Sequence, residues 1–98
     1  MENSIDWFYI NDFIRKELDA AAPLLDPKTM TAVLHYLNHD EYEMAFEGLF
    51  IDIMQLKQRP NIDFEECLSV AKLLRLDQET VFDMHFWEKF EVYILSSV

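Results

Sequence analysis

Apolar residues recur along this chain at steps of three and four, with polar residues between them. That spacing belongs to the α-helix, where residues three and four apart share a face; a half-buried strand would alternate at two. Five helices are predicted. The first runs from Ser4 to about Ala22, with Ser4 as its cap, Asp6 near the positive end of the macrodipole and Pro23 as its stop. Its Ile5, Phe8, Asp12 and Arg15 fall on nearby turns, while Phe8, Phe13 and Leu18 drift around the cylinder, so contact on more than one side is expected. The second starts at Asp26-Pro27, a capping residue followed by proline at the first helical position. It carries Met30, Val33, Leu34 and Leu37 and is interrupted at Asn38-His39. The third has the most regular stripe: Tyr42, Phe46, Leu49, Ile53 and Leu56. Asp40 and Glu43 have capping-box spacing at its start, and it is expected to end near Gln58, ahead of Arg59-Pro60. The fourth opens at Asp63 with Glu66 three residues on, and its stripe is Phe64, Cys67, Leu68, Ala71 and Leu74. The fifth is expected from Asp77 to about Leu95, with Val81, Phe82, His85, Phe86, Lys89, Phe90 and Tyr93 on one broad side; Asp83 offers a later start.

Composition supports that reading. The 98 residues include one glycine and three prolines, too little punctuation for many short strands. Half the chain, 51%, is hydrophobic, which argues against disorder. Short amphipathic helices are marginal alone in water, so they must bury their stripes against one another. The expected fold is all-α: one compact bundle of about five helices, residues 1–98, with no linker or internal repeat.

Charge narrows the partners. Nineteen Asp and Glu stand against eight Lys and Arg, a formal net charge of −11. Such a surface repels nucleic acid and anionic membrane, so neither is an expected partner. No apolar run reaches the length of a membrane-spanning helix. The start Met1-Glu2-Asn3-Ser4 lacks the basic opening of a secretory leader, and the lone Cys67 cannot close an internal disulfide, so the expected compartment is the cytoplasm. The acid is unevenly spread. Between Lys28 and Lys57 there is no Lys or Arg, but there are Asp40, Glu41, Glu43, Glu47 and Asp52. Glu43 and Glu47 share a helix face, with Asp40 one turn earlier, an arrangement that costs a few tenths of a kcal/mol in helix stability. Further helical steps reach Phe50 and Met54. An apolar patch beside an acidic start is a protein-docking pattern, because interface centres favour aromatics and Met while charged rims set approach. The competing readings are a solvated face that aids solubility and, for Phe50 and Met54, a place in the core.

Chemistry is harder to find. His35 and His39 are four apart, suited to a metal on one helix face, but the glutamate that a zincin has after its first histidine is missing. They also straddle a helix boundary, so they read as surface or cap-region histidines and no metal site is expected. The residues three before each histidine are Ala32, Tyr36 and Phe82, which excludes the Glu-x-x-His pairs of a di-iron bundle. Acids surround Gly48, but in a helical pattern rather than a calcium loop. Cys67 lies on an apolar stripe and reads as an inert buried thiol. One glycine cannot make a phosphate-binding loop. Neither a catalytic residue nor a cofactor is expected, and the chain does not read as an enzyme.

The stretch His39-Asp40-Glu41-Tyr42-Glu43-Met44-Ala45-Phe46-Glu47-Gly48-Leu49 resembles a signature of bacterial immunity proteins, the small antidotes of contact-dependent growth inhibition and of Maf polymorphic-toxin systems. It covers 11 of the 98 residues; elsewhere the likeness lies in length, acidity and helical character. The resemblance implies a cytoplasmic inhibitor of a toxin's C-terminal domain, in many such systems a nuclease. A nuclease cleft is basic, and a chain of −11 charge is drawn to it. The expected toxin contacts are Asp40, Glu41, Glu43, Glu47 and Asp52, with Phe50 as an apolar anchor. Tyr42, Phe46 and Leu49 are assigned to the core by their spacing. Gly48 costs a helix about 1 kcal/mol relative to Ala, which a close helix crossing or a close partner would explain. Free, the chain is expected to be a monomer or weak homodimer. The rival reading is an acidic helical adaptor for another basic partner, such as a transcription regulator.

Overall fold

The computed structural model describes residues 5–96. Five α-helices and one 3₁₀ turn follow one another, and no strand occurs among the described residues. The first helix, α1, spans Trp7–Ala21. Its cap is Asp6, whose side chain accepts the Tyr9 N–H at 3.1 Å from an extended backbone; Ser4 lies outside the described residues. Ile10, Phe13, Ile14, Leu18 and Ala21 form its buried stripe, and Phe8 is solvent-exposed. The short turn Ala22–Leu24 carries Pro23 and leads to α2, Pro27–Asn38. Asp26 caps α2 by accepting the Lys28 N–H at 2.8 Å.

The link from α2 to the next helix is a tight reversal. Asp40 adopts a left-handed backbone, φ 56°. The Glu41 N–H then donates to the Tyr36 carbonyl at 2.9 Å and the Asp40 N–H to the Leu37 carbonyl at 3.2 Å. These are the paired bonds of a Schellman motif, with Asp where glycine is usual. Asp40 therefore closes α2 rather than capping the next helix. In α3, Tyr42–Met54, Glu41 holds the cap position without a side-chain cap bond. The helix stops at Met54, short of Gln58. Arg59, beyond that end, donates instead to the Tyr93 carbonyl at 3.1 Å and stacks over the Tyr93 ring.

As its spacing predicts, α4 (Phe64–Leu73) is capped by Asp63, which accepts the Glu66 N–H at 3.0 Å. It ends in a second Schellman reversal, with Arg75 left-handed at φ 63° and the Leu76 N–H donating to the Ala71 carbonyl at 3.0 Å. The fifth helix, α5, spans Phe86–Leu95. It does not begin at Asp77: turns occupy the chain from Leu74 to about His85. Asp83 sets the later start by accepting the His85 N–H at 2.8 Å. Val81, Phe82 and His85 consequently lie on an exposed loop, outside the helical face to which their spacing assigned them.

All five helices contribute to one hydrophobic core. Its centre is aromatic. Phe46 and Phe50 of α3 stack at 4.7 Å, and Phe90 of α5 meets Phe50 edge-on at 5.3 Å and stacks on Phe86 at 5.4 Å. Such pairs add about 0.5–1.5 kcal/mol each beyond the area they bury. The radius of gyration, 12.6 Å, matches a close-packed chain of this length.

Candidate docking surface

The start of α3 and the turns after α4 face each other across an open groove of about 740 Å³. One wall carries Asp40, Glu41, Glu43 and Met44; the other carries Leu74, Arg75, Gln78, Glu79, Thr80 and Val81. Four carboxylates thus surround the groove, against the single guanidinium of Arg75. The two Schellman reversals hold these walls: Asp40 turns one and Arg75 the other. Asp40 also accepts the Tyr42 hydroxyl at 3.1 Å; burial first, and that contact second, raise the Tyr42 phenol above its ordinary value.

Beside the groove, the loop at residues 80–85 presents apolar side chains to solvent: Val81 is 49% exposed, Phe82 47% and Met84 81%. Its backbone is held from below. Glu47, fully buried at mid-α3, accepts the N–H groups of Val81 at 2.6 Å and of Phe82 and Asp83 at 2.8 Å. Thr80 Oγ1 donates to the Asp83 carbonyl at 2.7 Å, and Lys89 Nζ reaches the Asp83 carboxylate at 2.8 Å. The Lys89 contact is the main reason the Asp83 carboxyl titrates below its ordinary range.

Of the six contact residues expected from the sequence, the structure brings three together: Asp40, Glu41 and Glu43 line the groove. The other three are placed elsewhere. Glu47 is no surface contact, because its carboxylate is used up by the loop amides. Phe50 is no anchor, because it is fully buried in the aromatic core. Asp52 is half-buried on the side of α3 facing α2 and accepts the hydroxyl of Thr29. Four contributors escaped the sequence reading as contacts: Glu79, Val81, Phe82 and Met84. Their segment resembles helix in its spacing; the signal of a loop was Thr80 followed by Asp83, two side chains that close turns. Comparison with known protein families, curated proteins and solved structures gave no significant match.

A second acidic cluster lies between α1 and α4. Glu17 is buried, neither carboxylate oxygen has a hydrogen bond, and the nearest cation, Lys16 Nζ, is 3.9 Å away. Burial, reinforced by Glu66 and Asp63 and opposed by Lys16, pushes the Glu17 carboxyl up to about 7. Glu66 accepts the Tyr9 hydroxyl at 2.6 Å, the main reason that phenol is pushed up to about 12. Cys67 beneath is buried, which raises its thiol far above the ordinary value and keeps it protonated and unreactive at neutral pH.

Proposed function

We propose that this chain is an immunity protein, a stoichiometric inhibitor that covers the basic active cleft of a toxin domain, in the simplest case a nuclease. The observation that carries the reading is the acidic groove flanked by an apolar loop whose backbone is hydrogen-bonded to buried Glu47. Carboxylates at a rim speed encounter with a basic partner by about 10- to 10³-fold. Desolvated apolar side chains at a centre slow its departure. Val81, Phe82 and Met84 fit the second role, and Asp40, Glu41, Glu43 and Glu79 the first. The likeness of residues 39–49 to immunity proteins supports the same reading. Part of that stretch lines the groove and part, Phe46 and Glu47, builds the core and the loop support beneath it.

The test is co-expression with nuclease toxin domains of contact-dependent inhibition systems, read as cell growth, with complex formation measured on each purified pair. The chain is expected to restore growth and form a 1:1 complex. The double variant Glu43→Lys, Glu79→Lys is expected to retain helicity while losing both. Absence of protection and of complex formation by the parent chain overturns the reading. A complex that forms instead with a regulatory protein of basic surface puts the adaptor in its place.

A further inference from the structure

The geometry points to a second site, at the end of α2: His35, His39 and Glu41 together bind a divalent transition-metal ion, zinc by the nature of the donors. Helical spacing puts the two imidazoles on one face, one turn apart, with ring centroids 4.3 Å from each other. The third donor comes from beyond the helix. Left-handed Asp40 and the Glu41 N–H bond to the Tyr36 carbonyl fold the chain back over the last turn. Donor atoms of all three side chains consequently lie within 4.8 Å of one another.

Two further features suit a metal. His39 Nδ1 lies 2.8 Å from the His35 carbonyl oxygen. A carbonyl can only accept, so Nδ1 carries the proton and Nε2 keeps a lone pair for a ligand. An N–H of the ring bonded to a backbone carbonyl is the usual outer support of metal-binding histidines. The second feature is access: both histidines are exposed and Glu41 is half-buried, so an ion enters without opening the core. Tetrahedral zinc with ligands at about 2.0–2.1 Å sets donor separations of about 3.4 Å. Rotation of exposed side chains supplies the remaining closure. Two imidazoles and one carboxylate leave a fourth position for water or for a side chain of a bound protein.

Cobalt(II) is the probe, since its four-coordinate complexes absorb visibly and zinc displaces it. Titration of the metal-free full chain is expected to saturate at one equivalent, and zinc to abolish the absorption. His35→Ala and His39→Ala are expected to lose the signal, and Glu41→Gln to weaken binding by at least the roughly tenfold that even an outer partner is worth. His85→Ala, at an exposed histidine elsewhere, is expected to bind as the parent does. All three substituted ligands are surface or half-buried, and circular dichroism checks that the variants remain helical. A parent chain without a saturable signal, or binding unchanged in His35→Ala and His39→Ala, overturns the site. Unchanged affinity in Glu41→Gln removes the carboxylate and with it the three-donor centre.

Discussion

At the scale of single residues, Glu17 has the clearest thermodynamic consequence. Its carboxyl holds a proton up to about pH 7 in the folded chain, against an ordinary value of 4.5. Below pH 4.5 both folded and unfolded forms are protonated and nothing is lost. As pH rises through the window to 7, the unfolded chain sheds the proton first, so stability falls; above 7 the full penalty of the buried charge applies. Glu17→Gln is expected to raise stability by about 1–3 kcal/mol near pH 8 and by little near pH 4.5, measured by urea unfolding at both. Equal effects at the two pH values would show that Glu17 carries no such penalty. Gly48 gives a second residue-scale outcome. A Cβ there would meet Phe82 Cε2 at 3.7 Å and Tyr36 Cε2 at 3.8 Å, ordinary contact distances. No close helix crossing demands the glycine. Gly48→Ala is therefore expected to stabilise the fold by about 0.5–1 kcal/mol, read as a raised urea midpoint with unchanged slope.

At the scale of elements, α3 is the organising helix and the 80–85 loop is its dependent. Glu47 is to that loop what Asp26 is to α2, an acceptor for backbone N–H groups, but it acts across 34 to 36 positions of sequence. Removing it leaves three amides without their acceptor, so Glu47→Ala is expected to cost about 3 kcal/mol. Amide hydrogen exchange at Val81, Phe82 and Asp83 is expected to accelerate ahead of exchange in α3. Uniform acceleration throughout the chain would instead mean global unfolding. This is also where the sequence reading divides. The starts at Asp26 and Asp63 were legible because cap and capped amide are two or three residues apart. The start of α5 was legible only as the alternative at Asp83, since Val81 and Phe82 keep helical spacing and a remote carboxylate decides between the two starts. The face of α3 failed for a related reason. A stripe identifies an inside only if another side is left to solvent, and mid-α3 buries Phe46, Glu47, Leu49 and Phe50 almost all round. Asp40, Glu41 and Glu43 were legible as surface because they stand at the helix end, where neighbours run out.

At the scale of the whole molecule, the charge of −11 and the architecture are separable. The architecture follows from stripes that close on one core. The charge is placed by the reversals at Asp40 and Arg75, which bring acids from distant segments to one groove. Composition announced an acidic protein; it could not say that Glu79 and Glu43 line the same groove, because that depends on how the chain after α4 returns to α3. The carboxylate under the loop has a last implication. A partner closing on Val81, Phe82 and Met84 meets a backbone whose ordering was completed during folding, so little conformational entropy is left to lose on contact. When only a fraction of molecules holds the competent loop, apparent affinity falls by that fraction. On the proposed reading, binding strength at this surface would be governed in part by Glu47, a side chain that solvent does not reach.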